Sequence, residues 1–436
     1  MRVLAYTSPA RGHLYPVVPI LMALLERGHS VHACGLAGEL EHLAPLGIDA
    51  SPIDPAIENI AIEDWRRRTP QGAAVSVLKT FAERSLLEAP DLERAIEVHD
   101  PDVLLVDINA WGAAIVAEAS GRPWAIYSPY LLPLRSRDAP PFGPGLRPME
   151  GAFGRVRDAI VGRAVDGTFR RATAVSLTPL RARYGLPALG SFDALLRRPP
   201  LLLSLTAEGF EYPRRDWPAS VRLVGPMNWN PPDPRSQAAP AWLAEMADPL
   251  VLVTCSTELQ GDRRLVEVAL EALPAAGTSV VATVAAHDPD GFAATPGGKV
   301  VRFAPHDAIL RRASCVVCHG GLGITQKALS AGVPVVVVPF GRDQMETARR
   351  VERAGAGVRL SPRRLTPTRL LEAVGVATDR CAGAERVSRA YASAGGPSAA
   401  AEAIIELGLG VGTGFLGDKI RPSSEATPPS PVAKPE

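Results

Sequence analysis

Residues 313–349 constrain the fold of this chain more than any other stretch, because strand-like and helix-like patterns alternate there around a group of glycines. A short apolar strand around Val316 and Val317 precedes His-Gly-Gly-Leu-Gly, helical spacing covers 324–331, and a second apolar run covers 335–338. Uninterrupted apolar runs are typical of parallel strands that are covered on both faces. The stretch therefore predicts a βαβ unit, with its ligand surface where strands end and helices begin.

The glycine turn of this unit, residues 319–323, has the composition of an anion site. Gly320, Gly321 and Gly323 allow backbone N–H groups to approach a bound group, and the following helix start adds positive potential. His319 has a ring N–H that can donate to a phosphate oxygen, and Thr325 has a hydroxyl in the first helical turn. These features predict a phosphate-binding turn.

A polar pair follows the second strand of the unit. Asp343 offers acceptor oxygens, and Gln344 offers both a donor and an acceptor, a combination that suits sugar hydroxyls. Parallel strands end at one edge of a sheet, so this pair is expected near the glycine turn. A phosphate-binding turn one strand away from a hydroxyl-binding pair indicates a nucleotide-sugar site.

These residues resemble a known signature. His319-Gly320-Gly321 together with Asp343-Gln344 resembles the donor signature of family-1 glycosyltransferases, especially the bacterial natural-product enzymes that include macrolide glycosyltransferases. The resemblance implies that both groups of residues bind the donor. It also implies the GT-B arrangement, an α/β fold in which two Rossmann-like domains face each other across a cleft.

Two flanking segments extend the resemblance. Phe303-Ala304-Pro305-His306 resembles the opening of the signature, where an aromatic residue stacks on the nucleotide base. Ser256 and Thr257 follow a predicted strand at 250–254, at the place where the family contacts the diphosphate. The resemblance therefore implies that Phe303, His306, Ser256 and Thr257 also bind the donor.

His13 is the candidate base in the first half of the chain. The pattern predicts a strand at 2–7, a loop at 8–15 and a helix that opens at Pro16, which places His13 at the carboxyl edge of the sheet. A histidine in such a loop is most often an ordinary polar residue. However, the run from Gly12 to Pro16 resembles the Gly-His-x-x-Pro of the family, where this histidine is the general base.

Asp107 closes a second apolar strand, predicted at 102–107. An aspartate at this position is often a helix cap, because the sequence predicts a helix at 113–119. The resemblance implies a different role, in which Asp107 holds the catalytic His13. Both interpretations stay open from the sequence alone.

The resemblance covers about residues 1–410 and implies a division of the chain into parts. The acceptor-binding domain is expected at 1–225 and the donor-binding domain at 242–395. Between and after them we expect a proline-rich linker at 226–241, a helix at 396–410 that crosses back to the first domain, and a disordered tail at 411–436.

The implied reaction is an inverting transfer of a sugar from a dTDP- or UDP-sugar to a hydroxyl of a lipophilic acceptor, such as a polyketide, macrolide or phenol. Its partners are the nucleotide-sugar donor and this small-molecule acceptor, and no cofactor is expected. The alternatives are a nucleotide-sugar epimerase or hydrolase on the same fold, and a catalytically silent helper protein that binds the sugar nucleotide.

Composition excludes several other classes of function. A net charge of +1 gives no basic footprint for nucleic acid, and the apolar runs are too short to span a membrane. The first residues carry no pattern of a secretion signal, so we expect a cytoplasmic protein. Cys315 and Cys318 form a CxxC without a second pair, and we expect buried thiols there and no metal.

Two further expectations concern specificity. We expect residues 54–100 and 133–160, which are less regular in pattern, to build the acceptor pocket. Many relatives carry a glutamate after the glycine turn that accepts from the ribose hydroxyls of uridine, but here Lys327 takes that position. An ammonium group cannot accept, so thymidine donors are expected to serve at least as well as uridine donors. Lys327 itself is expected either to be solvated or to bind the diphosphate.

Overall fold

The computed structural model describes residues 1–67, 69–231, 240–257 and 260–411, and in them the chain forms two parallel sheets, each flanked by helices. The first sheet has seven strands in the order β3-β2-β1-β4-β5-β6-β7. In chain order, β1 to β7 are Arg2–Tyr6, Ser30–Gly35, Asp49–Pro52, Val103–Asp107, Trp124–Ser128, Leu201–Ser204 and Val221–Leu223.

Helices of the first half cover both faces of this sheet, so apolar strands such as β4 are buried throughout. The chain order reverses between β1 and β4, which is where a doubly wound sheet opens a crevice for ligands. In chain order, α1 to α7 are Arg11–Glu26, Pro55–Glu58, Pro70–His99, Trp111–Ala119, Gly151–Thr173, Leu177–Arg183 and Phe192–Leu196.

Helix α1 begins five residues before the predicted start, so the loop expected at 8–15 is mostly wrong. The prediction relied on Pro16, because proline favours a first helical turn, but Pro16 and Pro19 both lie inside the helix. Packing of Leu14 and Val17 against the sheet stabilises the extra turn. His13 therefore lies on the first turn of a helix and not in a free loop.

Of the two segments expected to be irregular, 54–100 is largely helical, whereas most of 133–160 is irregular as expected. Residues 70–99 form the single long helix α3, which begins at an N-cap from Thr69. Residues 129–150 have no regular structure, but α5 starts at residue 151. The sequence did not predict the start of α5, because its first residues include Gly151 and Gly154 and glycine disfavours helices. At Gly154, however, a Cβ would lie 2.2 Å from the carbonyl oxygen of Met149, so the local backbone packing requires glycine.

The second sheet repeats the architecture with six strands in the order β10-β9-β8-β11-β12-β13. This confirms the prediction of two parallel α/β units. In chain order, β8 to β13 are Leu250–Thr254, Ser279–Thr283, Gly298–Val301, Ala313–Cys318, Val335–Val337 and Gly357–Arg359.

The predicted βαβ unit is present as β11, α11 and β12, and these two strands pair in parallel. Cys315 and Cys318 are free thiols buried on opposite faces of β11, as expected. In chain order, α8 to α15 are Ala241–Ala244, Arg263–Ala275, His306–Leu310, Leu322–Ser330, Gln344–Ala354, Pro367–Thr378, Cys381–Ser393 and Gly396–Gly408.

Helix α15 lies against the first sheet although it follows the second sheet in the chain. Its buried face, which includes Ile404, belongs to the same apolar core as Val17 and Leu21 of α1. Residues 232–239 of the expected linker, Arg68, and residues 412–436 of the expected tail lie outside the described residues. Within the described part of the chain, no helix combines the length and apolar character that crossing a membrane requires.

Candidate functional site

His13 and Asp107 meet at the crevice between β1 and β4. Nδ1 of His13 lies 2.7 Å from Oδ2 of Asp107, whose carboxylate is completely buried. The other carboxylate oxygen accepts from the hydroxyl of Ser8 at 2.6 Å and from the backbone N–H of Asn109 at 2.8 Å. A buried carboxylate beside Nδ1 favours a proton there, which leaves Nε2 of a neutral imidazole able to accept a proton.

The helix-cap interpretation of Asp107 is wrong. The N-cap of α4 is Ala110, and no side chain caps that helix. The carboxylate of Asp107 instead accepts hydrogen bonds from the loops after β1 and β4 and contacts His13 at the start of α1.

Two polar residues that the sequence reasoning missed complete this end of the crevice. Nδ2 of Asn109 lies 3.3 Å from Nε2 of His13, and Oδ1 of Asn109 accepts from the hydroxyl of Tyr130 at 2.8 Å. The Tyr130 ring meets the imidazole edge-on, with centroids 6.1 Å apart. Their positions just after β4 and β5 were the available signal, because that edge of a parallel sheet carries the ligand site.

The glycine turn has the backbone that glycine permits. Gly320 has φ +97°, and a Cβ there would lie 2.6 Å from Cγ1 of Val337. A Cβ on Gly321, the N-cap of α11, would lie 2.5 Å from Nε2 of His319, whereas Gly323 faces open space. The first backbone N–H groups of α11, which have no acceptor within the helix, therefore lie at the end of β11.

His319 is buried beside this turn. Burial lowers the pKa of its imidazole, although the nearby carboxylate of Asp262 acts in the opposite direction. Among the described residues, nothing accepts from or donates to its Nδ1 atom. A neutral imidazole with one unsatisfied ring nitrogen can bind a polar group of a ligand.

Thr325 is bonded to the turn through its hydroxyl but is not exposed. It is completely buried, its hydroxyl donates to the carbonyl oxygen of Gly321 at 2.9 Å, and its Oγ1 lies 3.8 Å from Sγ of Cys318. The side chain therefore points into the core. The sequence could not show this, because the helical pattern does not tell whether Thr325 faces the ligand side of the turn or the core.

Asp343 and Gln344 are next to each other but differ in what they contact. Asp343 is half-buried at the N-cap of α12, and burial raises the pKa of its carboxyl, against the influence of Arg342 and His13. Gln344 is buried, and its Oε1 accepts from the backbone N–H groups of Phe340 and Gly341 at 2.7 and 3.0 Å. Gln344 thus shapes the turn before α12, while Asp343 faces the first domain.

Ser256 and Thr257 lie at the end of β8, the neighbour of β11. Ser256 is buried, and its backbone N–H donates to Oδ2 of Asp262 at 2.6 Å, whereas Thr257 is exposed. Asp262 also contacts Nε2 of His287 at 2.9 Å. Sequence reasoning missed this completely buried carboxylate, which shapes the loop after β8.

Phe303 lies in the loop that follows β10, and His306 is the first residue of α10. The Phe303 side chain is 59% exposed, so its ring is available for stacking. Nε2 of His306 lies 3.1 Å from the hydroxyl of Thr283. Burial, assisted by the charge of Lys327, lowers the pKa of His306 to about 3, so this imidazole is neutral.

Lys327 is more enclosed than the solvated position that was one of the two expectations for it. The side chain is half-buried, and its ammonium donates to Oδ1 of Asn230, in the segment that follows the first sheet. Burial lowers the pKa of Lys327, and the charge of Asp307 opposes this shift. The ammonium is thus held beside the segment that follows the first sheet, and its expected contact with the diphosphate stays a prediction.

Among the residues that the structure describes, two groups of side chains have the composition of metal ligands. The possible ligand atoms of Cys255, Asp262 and His287 lie within 4.8 Å of one another, but Asp262 is already hydrogen-bonded and burial raises the pKa of Cys255. In the other group, formed with Asp49 and His99, both ring nitrogens of His32 are hydrogen-bonded. The contacts in both groups are therefore those of hydrogen-bonded side chains.

Comparison with known proteins gives matches along most of the chain. Residues 267–407 match the family model described as erythromycin biosynthesis protein CIII-like, C-terminal domain. The chain is 33% identical over 391 residues to 4'-demethylrebeccamycin synthase of Lentzea aerocolonigenes, and the match covers 87% of this chain and 92% of that protein.

Solved structures resemble the whole fold. The glycotransferase of kitacinnamycin superposes with a TM-score of 0.75 at 24% identity, covering 93% of this chain and 98% of that one. The glycosyltransferase SsfS6 of Streptomyces sp. SF2575, complexed with thymidine diphosphate, gives a TM-score of 0.64 at 20% identity, covering 93% and 99%. At these identities the likeness establishes the fold, and it confirms the predicted two-domain GT-B arrangement.

Proposed function

Because the chain belongs to the family of glycosyltransferases of natural-product biosynthesis, we propose that it transfers a sugar from a nucleotide diphosphate to a hydroxyl group of a lipophilic acceptor, such as a polyketide, a macrolide or a phenol. The observation that carries this proposal is the 2.7 Å contact between His13 and the buried Asp107. The thymidine diphosphate bound to one structural neighbour supports the choice of donor class.

His13 acts as the general base in this proposal. Its Nε2 takes the proton of the acceptor hydroxyl while the acceptor oxygen bonds to the anomeric carbon of the sugar. The bond from that carbon to the diphosphate breaks, and the diphosphate leaves with the electron pair. Attack from the face opposite the leaving group inverts the anomeric carbon. Asp107 stabilises the imidazolium that forms.

Charge that develops on the leaving diphosphate requires hydrogen-bond donors. The backbone N–H groups at the start of α11 and the ring of His319 supply them in this proposal, because both lie at the glycine turn. Ser256 and Thr257 approach from the neighbouring strand. Thr325 is assigned no contact with the diphosphate, because its buried hydroxyl donates to the carbonyl oxygen of Gly321.

The remaining donor contacts are assigned by position. Asp343 accepts from sugar hydroxyls, and Phe303 stacks on the base. Residues 242–395 then bind the donor and residues 1–225 bind the acceptor, with 226–241 as the linker between them. All five cysteines are free, which supports a reducing compartment and hence the cytoplasm as the location of this reaction.

The test is a mass-spectrometric screen of dTDP- and UDP-sugars against a panel of polyketides and phenols. We expect a glycosylated product, and we expect His13→Ala to reduce its rate by roughly 10²–10⁴-fold. Calorimetry with thymidine diphosphate should give an unchanged Kd for the variant, because His13 belongs to the other domain.

The alternatives give different results in the same assays. Release of free sugar or a changed sugar without acceptor would indicate a hydrolase or an epimerase, and binding without turnover would indicate a helper protein. Hydrogen exchange should show that thymidine diphosphate protects the amides of residues 319–326. Protection confined to the first domain would contradict the donor-site assignment.

A further inference from the structure

The irregular segment of the first domain, residues 129–150, reaches across to helix α12 of the second domain. Phe142 of this segment packs against the core of the second sheet. The backbone N–H groups of Gly143 and Gly145 both donate to Oε1 of Glu346, each at 2.8 Å. A single carboxylate oxygen of α12 thus holds two amides of the segment.

Glu346 is held rigidly from its other side. Its side chain is 1% exposed, and Oε2 accepts from Nη1 of Arg350 at 2.9 Å. Nε of Arg350 in turn donates to Oε1 of Glu211, in the first domain, at 2.7 Å. Buried charges need such partners, so this group allows Glu346 little freedom to move.

The backbone of the segment is shaped to fit α12. Gly145 has φ +60°, and a Cβ there would lie 2.4 Å from the carbonyl oxygen of Met345. Nε of Arg349 donates to the carbonyl oxygen of Gly145 at 3.1 Å. Only glycine permits both this conformation and this approach.

The two ends of the segment contact the two halves of the reaction centre. Near its start, the hydroxyl of Tyr130 donates to Asn109, whose amide contacts His13. Near its end, the segment is bonded to Glu346, three positions after Asp343 on the same helix start. The path of the segment is therefore fixed relative to both the proposed base and the proposed sugar-binding carboxylate.

We propose that Glu346 is a positioning residue for the acceptor: it fixes residues 130–145 against the donor-binding helix and so determines which acceptors reach His13. This inference rests on the proposed glycosyl transfer. It identifies a specificity determinant on the donor domain, outside the domain that binds the acceptor.

The test compares Glu346→Gln with wild type, using one simple phenol and one larger polyketide as acceptors. A glutamine keeps the shape and one acceptor oxygen, but its NH₂ group opposes the guanidinium of Arg350. We expect the acceptor KM to rise about tenfold or more and the ratio of kcat/KM between the two acceptors to change, while the donor KM stays within about twofold. Gly145→Ala should give the same pattern without touching the ion pairs.

Glu385→Gln, the same substitution at an exposed helix position, is the matched control and should behave as wild type. A wild-type acceptor KM and wild-type selectivity in Glu346→Gln and Gly145→Ala would overturn the proposal. Equal changes in the donor and acceptor kinetic parameters would also overturn it, because they indicate a purely structural role. If wild type transferred no sugar to any acceptor, the proposed function itself would fail.

Discussion

Asp107 orients His13 through a carboxylate that three donors surround. Asp107→Asn keeps the volume of the side chain, but the neutral amide cannot stabilise an imidazolium. Its NH₂ group would also face hydrogen-bond donors, at a position where a carboxylate oxygen accepts from them in the wild type. We expect kcat for transfer to fall by roughly 10²–10⁴-fold, with less effect than His13→Ala, and the Kd for thymidine diphosphate to stay unchanged. Steady-state kinetics together with calorimetry measure both quantities.

Ser8→Ala is the matched control for this substitution. It removes one of the hydrogen bonds to Asp107 and leaves the carboxylate beside His13. Its loss of kcat should be much smaller than that of Asp107→Asn. Equal losses in the two variants would show that the carboxylate charge is not what His13 requires.

Glu88 is a buried carboxyl whose ionisation should make stability depend on pH. It accepts from the backbone N–H of Gly112 at 2.8 Å, and burial raises its pKa from 4.5 to about 8. The folded state therefore keeps a proton that the unfolded chain loses above pH 4.5, so stability decreases as pH rises toward 8. The slope is at most about 1.4 kcal/mol per pH unit.

Glu88→Gln should remove this dependence, because the amide stays neutral and can still accept from Gly112. Urea unfolding at pH 5 and pH 8 measures it: the advantage of the variant over wild type should grow with pH. Glu97→Gln, at an exposed position of α3, should show no such trend. A difference between Glu88→Gln and wild type that is independent of pH would contradict the prediction.

At the scale of elements, the sequence predicts the strands well because their patterns are local. The runs that became β4, β8, β11 and β12 are apolar without alternation, and that pattern alone indicates a parallel sheet with two covered faces. The glycine and proline residues between these runs also predict correctly that the glycine turn lies at the end of β11.

The errors arise where packing overrides local preference. Helix α1 extends through its prolines because its apolar face packs on the sheet, and α5 contains a glycine that the nearby backbone of Met149 requires. The side chains of Thr325 and Gln344 bond to nearby backbone, which depends on rotamers that no pattern encodes. Asn109 and Glu346 were missed because they bond to residues that are distant in sequence, such as His13 and Gly143. Asp262 contacts the nearby Ser256 and also His287, in a loop that no motif marks.

Helix α11 carries the prediction about the donor nucleotide. Lys327 donates to Asn230 and has no acceptor to offer to ribose hydroxyls, so this helix gives a uridine donor no advantage over a thymidine donor. We expect kcat/KM for a dTDP-sugar to equal or exceed that for the UDP-sugar with the same sugar. A preference for uridine above about tenfold, or about 1.4 kcal/mol, would show that another group reads the ribose.

At the scale of the whole molecule, the two domains are joined by more than the linker. The guanidinium of Arg342 binds both carboxylate oxygens of Asp64, each at 3.0 Å, and Nε of Arg350 binds Glu211 at 2.7 Å. Arg342 directly precedes Asp343. These two ion pairs between the domains therefore help to set the distance between the proposed base and the proposed sugar-binding carboxylate.

Helix α15 adds a third connection, and it leads to a prediction about stability. Ile404 is completely buried in the core that α15 shares with α1, although it follows the second domain in the chain. Ile404→Ala should lower the free energy of unfolding by about 2–5 kcal/mol. Hydrogen exchange should increase in β1 and α1 but not in β11, because the lost contacts belong to the first core.

Leu409→Ala, at a position that is 65% exposed, is the control, and it should change the free energy of unfolding and the exchange rates little. Faster exchange confined to the second sheet would show that α15 stabilises the donor domain instead.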